Sequence, residues 1–478
     1  MRSSGRAPLR RGTWIVALVA LIVVLSLGLC GMETGLQLSV SLSVACCAAI
    51  ALYGAVLPVS RCGLATLLAV SAVMSAGVII NVYGFVVASG ASVPAPDLVN
   101  PDMARFFRQA TEISQGASPA HGNTVPLFSY ATALLWVVFG RSIVYPMALN
   151  VALTLISVTL AGKLAVALLK DKVKLSQERV AALAMGLVAV CCNYLGQGMV
   201  PLKEPYLYVG FLMTAVVVAR MYRREPLSAR HYLCFAAGAL LLGTSRPPML
   251  FFTVMGLLLL SPRFYRSHWP AMAIALCLAA ASLFVGARVT RLTVTTHTDI
   301  VSNEAAMGDE YMSHSEDNRY DNYSKVVGEY YRLPAARRVV LLPVTSATQY
   351  VVPFPWNFGR DTKYGYTQAY NHVGYPWYAV GGVILFYLLL LWWRRGVALR
   401  LWALWPVMCW LVVAFLYAGT ISRYTLSFIP LMTPLAIVAL DRLLQGLHRK
   451  TFACWCCVYT AVMAAGLVAC HHFQQALG

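Results

Sequence analysis

Acidic residues are scarce in this sequence. Asp and Glu number 18 in 478 residues, against 37 Lys and Arg, and charged residues of every kind make up only 12% of the chain. A soluble domain of this length needs far more charge to cover its surface. What fills the space instead is a series of apolar runs of roughly 18 to 25 residues, each long enough to cross the hydrocarbon core. Other absences narrow the function. There is no Gly-rich phosphate loop, no Gly-x-Ser-x-Gly and no His-Glu-x-x-His, so energy from cytoplasmic ATP is not indicated. The 13 cysteines form no disulfide framework, because none lies in the two long polar segments. Cys454-Trp-Cys456-Cys457 contains a CxxC, but it opens an apolar run and has no second pair.

The net charge of +19 does not point to nucleic acid. The basic residues sit in short loops between apolar runs: Lys170, Lys172, Lys174 and Arg179; Arg220, Arg223, Arg224 and Arg230; Arg263 and Arg266; Arg394, Arg395 and Arg400; Arg442, Arg449 and Lys450. Spans near 14–30, 36–57, 64–88, 143–169, 179–199, 204–221, 231–245, 248–262, 268–288, 373–393, 400–418, 424–441 and 452–470 bring all of these loops to one side. That is the positive-inside pattern. The expected fold is an all-α polytopic membrane protein of about thirteen transmembrane helices, with extracytoplasmic surface helices and loops. It would lie in the plasma (inner) membrane with the N-terminus cytoplasmic and the C-terminus outside. The first span is read as retained, since no small-x-small site precedes a polar mature start. The chain divides into a three-span region (1–90), a first outer loop with surface helices (91–140), a central bundle (141–288), a second outer loop (289–372) and a C-terminal region (373–478).

The first outer loop carries the densest signal. Asn100 can cap a helix, Pro101 suits its first position and Asp102 lies in its first turn. Met103, Phe106, Phe107, Ala110 and Ile113 then share one face, while Arg105, Arg108, Gln109 and Glu112 share the other. A helix of this kind is expected to lie flat on the bilayer and to hold Asp102 at the water boundary. By itself, an acid in a helix's first turn needs no function, because the helix dipole favours it. Residues 126–140 are apolar and aromatic but short for a span, and are read as a second surface or re-entrant helix.

Charges in the short outer turns are not required for topology. They are Glu33, Lys203 with Glu204, Arg246 before two prolines, and Arg423 before Tyr424. Such charges near the membrane are functional candidates, although snorkelling to headgroups is the plain alternative. Three basic positions on the side of Asp102 make an anion site opposite a carboxylate. Lys163 lies at the other end of its span and is read as snorkelling. In the second outer loop, prolines interrupt residues 337–356, so a loop packed on the membrane surface is expected there rather than a helix. His297 and His314 stand among carboxylates, but their spacing is irregular for a divalent metal, and no tightly bound cofactor is expected.

In order and spacing these features resemble the GT-C glycosyltransferase superfamily, close to its protein O-mannosyltransferase and aminoarabinose-transferase type, over about residues 75–445. Asp102, Phe106, Ala110 and Gly116 match the family's first-loop pattern. Pro126, Phe128, Tyr130 and Phe139-Gly140 match the helix that follows, and Leu149-Asn150 matches a small-residue-rich span. Glu204, Arg246-Pro247 and Arg423-Tyr424 with Pro430 match later positions. Two departures stand out: Met103 replaces a common Glu, and two spans precede the usual first one.

The resemblance implies transfer of a sugar from a polyprenyl-phosphate donor to a glycan, lipid or protein acceptor at the outer face. Asp102 would be the general base, with Asp97 as its backup. Arg246, Arg423 and Lys203 would hold the donor phosphate, and Glu204, Tyr424 and Arg105 would contact substrate. Rival readings are a lipid-linked oligosaccharide flippase or other transporter, and a polysaccharide polymerase. The absence of inverted repeats and of paired broken helices in the sequence speaks against a transporter.

Overall fold

A computed structural model describes residues 7–58, 60–84, 101–119, 125–259, 262–290, 328–351, 375–393, 399–416 and 425–477. Every regular element among them is a helix. Among the described residues eight helices are long and apolar enough to cross a membrane, and the chain is an all-α, multi-pass membrane protein. It divides into two compact units, residues 1–291 with 361–374, and residues 292–360 with 375–478.

In the first unit, α1 (Ala7–Cys30), α2 (Met32–Val56) and α3 (Arg61–Val82) pack together. The Ser60 hydroxyl starts α3 by accepting the Gly63 N–H at 3.0 Å. Two shorter helices follow, α4 (Pro101–Ser114) and α5 (Leu127–Phe139), which pack on each other. The long α6 (Val144–Leu169) lies against α2 and α3, and then come α7 (Gln177–Val190) and α8 (Cys192–Gly198). The unit closes with α9 (Glu204–Tyr222), α10 (Ala229–Ser245), α11 (Met249–Leu258) and α12 (Pro262–Thr290). The α9–α10 pair is antiparallel and very close. A Cβ placed on Gly210 would stand 2.8 Å from the Gly238 carbonyl oxygen, so larger side chains there would force the helices apart. A Cβ on Gly286 of α12 would stand 2.2 Å from the Gly243 oxygen of α10, which makes the α10–α12 contact equally intimate.

Contacts sort the unit's loops into two ends. At one end, Lys163 Nζ donates to the Val56 carbonyl at 2.7 Å, so it caps the last turn of α2. There too, Arg223 pairs with Asp171 and, at 3.1 Å, with Glu225, while Arg220 reaches Glu225 at 3.2 Å. The Arg223 hydrogen bond holds the Asp171 carboxyl below its usual range. These contacts bring the 170–174 and 220–225 loops together, as the positive-inside reading requires of loops on one side. At the other end, the Tyr130 hydroxyl donates to Val289 O at 3.2 Å and the Val125 N–H to Thr290 O at 3.0 Å. Those bonds tie the end of α12 to the start of α5. The α9–α10 register places Glu204 level with the last turn of α10, at this same end.

Three expectations change. The span near 179–199 is two helices broken at Cys191, whose backbone (φ −77°, ψ 81°) leaves the helical region. Among the described residues, the segment near 248–262 holds the 10-residue α11 before α12 opens at Pro262, and α11 is about 15 Å long at 1.5 Å per residue. And α4 does not lie on lipid alone. Its apolar face packs into protein, with Met103, Phe106, Phe107 and Ala110 buried. Gln109, placed on the polar face by periodicity, is fully buried as well, because the Ser129 hydroxyl of α5 donates to its carbonyl oxygen at 2.9 Å.

In the second unit, α13 (Ala335–Val351) is a 17-residue helix with Pro343 inside, where an irregular surface loop was expected. Membrane helices tolerate such a proline. The helix is tied to its neighbours further along: Trp410 Nε1 donates to Ser346 O at 3.3 Å, and the Tyr350 hydroxyl donates to Tyr378 O at 3.0 Å. The helix is turned polar side in: Arg338, Thr345 and Gln349 are buried, while Val339, Val340 and Val344 are exposed. The remaining helices are α14 (Tyr375–Trp393), α15 (Arg400–Leu416), α16 (Ile429–Leu444) and α17 (Arg449–Leu477). The deeply buried α16 packs on α14 and α15, and Trp402 Nε1 donates to Leu431 O at 3.0 Å.

Candidate functional site

The site is built around one aromatic ring. Phe106 of α4 is 1% exposed, and its edge-on contacts explain why. It meets Phe128 of α5 at 5.8 Å, and Phe128 meets Tyr206 of α9 at 6.1 Å. Met103, Val200 and Leu202 complete this cluster. Burying such rings is worth roughly 1.5–3 kcal/mol each, which seats α4 firmly. Two cations lie over Phe106: the Arg105 guanidinium at 5.1 Å and Lys203 Nζ at 5.3 Å. Arg105 also donates to Asp102 Oδ1 at 2.9 Å. That ion pair is partly exposed, with 38% and 26% of the two side chains accessible, so its worth to stability is about 0–1 kcal/mol. Its role is orientation: it aims the carboxylate from the first turn of α4.

Lys203 and Glu204 stand where α8 gives way to α9. Residues 199–203 between these helices are unwound, and two asparagines from other helices grip them. Asn81 Nδ2 of α3 donates to Met199 O at 2.9 Å. Asn150 Nδ2 of α6 donates to Val200 O at 2.7 Å and to Leu202 O at 2.8 Å. Both asparagines are fully buried. Val200 O also accepts the Leu202 N–H at 2.9 Å, but without the asparagines the Met199 and Leu202 carbonyls would lose these donors in a buried site. Glu204 opens α9 and is 3% exposed, and its Oε2 has no hydrogen-bond partner among the described residues. Arg246 ends α10 (φ −159°, ψ 87°), half-buried, at the same end of the unit.

Asp102, Arg105, Lys203 and Glu204 are therefore brought together, with Arg246 at the same end. Asp97, Arg423, Tyr424, His297 and His314 lie outside the described residues. The residues that periodicity and charge did not single out are the braces. Asn81 is a polar side chain inside an apolar run, which is itself a signal. Asn150 carried no role until its partners, 50 and 52 residues away, came into view. No protein-family model, curated protein or solved structure matches this chain.

Proposed function

We propose that the protein is an integral-membrane glycosyltransferase of the GT-C type. It would move a sugar from a polyprenyl-phosphate donor to a glycan, lipid or protein acceptor outside the cytoplasm. The observation that carries this reading is the shared mounting of a carboxylate and two cations. Asp102 is aimed by Arg105, and Arg105 and Lys203 cover the same Phe106 ring. The opposite end of the unit instead has Asp171, Arg220, Arg223 and Glu225 in mutual pairs. A carboxylate beside basic groups at a membrane face suits a lipid phosphate and a hydroxyl that must lose its proton.

In this reading Asp102 accepts the proton of the acceptor hydroxyl. The acceptor oxygen bonds to the anomeric carbon from the face opposite the phosphate. The bond from that carbon to the phosphate oxygen breaks, and the polyprenyl phosphate leaves with the electron pair, so the configuration inverts. Lys203 and Arg246 hold the phosphate and stabilise its growing charge. Arg105 and the Phe106 mount supply positioning, a large share of rate when reactants are held in line.

The test replaces the base. Asp102→Asn keeps the shape and the helix start but removes the proton acceptor. Transfer is expected to fall at least about 10²-fold with membrane level unchanged, and Asp97→Asn to do much less. Loss on Asp97→Asn alone would move the assignment to that residue. If neither substitution matters while the glycan still depends on the protein, the enzyme reading fails and the transporter reading takes its place.

A further inference from the structure

Three basic side chains from three helices meet at the end of the first unit that carries the basic loops. Lys163 of α6, Arg220 of α9 and His231 of α10 are all half-buried. They act on one another: the Arg220 charge reaches both Lys163 and His231, and the Lys163 charge reaches His231. Acid is short here. Glu225 lies 3.2 Å from Arg220 and 3.1 Å from Arg223, and its charge also reaches His231, while Asp171 pairs with Arg223. Among the described residues no ion pair holds Lys163 or His231. Both keep hydrogen atoms to donate. The Lys163 ammonium uses one of its three on the Val56 carbonyl at 2.7 Å. His231 Nδ1 accepts the Ser228 N–H at 2.9 Å, which leaves the ring proton on Nε2. Membrane orientation does not require this convergence, because Lys170, Lys172, Lys174, Arg224 and Arg230 are exposed and already supply charge on this side. Holding like charges together costs free energy, and an anion among them offsets it.

We propose that this cluster binds the phosphate of an anionic phospholipid. The proposal stands apart from the sugar-transfer reading. The groups supply donors and positive charge, which suits phosphate oxygens at a membrane face. What makes the anion a lipid is the adjoining surface. Arg230, Leu233, Ala237 and Leu240 recur at helical spacing on α10, and all four are exposed. An apolar track therefore runs along α10 from the basic end. An acyl chain lying on that track brings its phosphate to Arg230 and, next to it, His231. A zwitterionic lipid has the same chains and phosphate but adds a cation, which Lys163 and Arg220 repel.

The test titrates the full chain in detergent with phosphatidylglycerol and with phosphatidylcholine of the same acyl chains, and measures bound lipid by native mass spectrometry. Phosphatidylglycerol is expected to bind at least about tenfold tighter, since each basic group near an anionic headgroup is worth about fivefold. In Lys163→Gln, and separately in Arg220→Gln, that preference should fall at least about threefold. Lys174→Gln removes an exposed charge from the same side and should leave the preference unchanged. Excess inorganic phosphate should displace little of the lipid, because it has no chain for the α10 track. Equal binding of the two lipids by the unaltered protein overturns the site, and needs no variant to fold. A preference that survives both Lys163→Gln and Arg220→Gln, or that Lys174→Gln lowers as much, overturns it too, since the attraction then belongs to the diffuse charge of the whole face. Ready displacement by inorganic phosphate makes the cluster a site for a soluble anion and overturns the lipid.

Discussion

Asn150→Ala removes the brace of the unwound segment, and its cost follows from two bonds. The amide nitrogen donates to Val200 O at 2.7 Å and Leu202 O at 2.8 Å. Asn150, Val200 and Leu202 are all at most 4% exposed, so water does not replace the lost donor. An acceptor left unpaired in a buried site costs about 1–3 kcal/mol, and hydrogen bonds between membrane helices average nearer 0.6 kcal/mol with a maximum of about 1.7. Removing Asn150 Oδ1, which already lacks a donor, returns part of the loss. The Val200 carbonyl keeps the Leu202 N–H at 2.9 Å, so only the Leu202 carbonyl is stripped of its donor, and the net destabilisation works out at about 1–2 kcal/mol. Asn150→Asp should cost more, because it keeps the shape but turns an oxygen toward two carbonyls. Steric-trap unfolding in bicelles measures both. The transfer reaction should fall with them, since the braced segment carries Lys203 and Glu204. A cost under about 0.5 kcal/mol for alanine, or an aspartate variant no worse than alanine, would refute the brace.

Other outcomes follow from the same geometry. Arg246→Ala should weaken donor binding by roughly 2–5 kcal/mol if the charge is desolvated against the phosphate, and an unchanged donor affinity in both Arg246→Ala and Arg423→Ala removes the phosphate site. Gly286→Val would press a side chain on the Gly243 carbonyl; it should destabilise the α10–α12 contact by about 1–3 kcal/mol or more, visible as a lower midpoint in thermal aggregation. An unchanged midpoint would mean that the helices separate freely. For topology, single cysteines at Ser92 and Ser315, in a background without reactive native thiols, should react with an impermeant maleimide in intact cells, and one at Lys172 only after lysis. The opposite pattern inverts the chain.

Much of the architecture is local and was legible in the residues. Hydropathy along 14–30, 36–57, 64–88 and 143–169 is a property of each segment, and the helices Ala7–Cys30, Met32–Val56, Arg61–Val82 and Val144–Leu169 answer to it because a bilayer demands internal pairing of every backbone group. The surface helix at 101–114 was legible for the same reason, from Pro101 and the spacing of Met103, Phe106 and Ala110. Charge counting grouped the 170–174 and 220–225 loops, and the Arg223–Asp171 pair joins them. Local rules failed at several places. Gln109 is buried against Ser129 of another helix, residues 335–351 are helical despite Pro343, and the run near 179–199 breaks at Cys191. The composition of the site was likewise readable as a set of charges without topological need, but their convergence was not. Only the tertiary structure decided that Lys203 shares a ring with Arg105, and that Asn81 and Asn150 hold an unwound segment, Asn81 from 118 residues away in sequence. Hydropathy reports what a residue prefers as its solvent. Which residue completes its hydrogen bonds is settled by helices that meet only after the chain has folded.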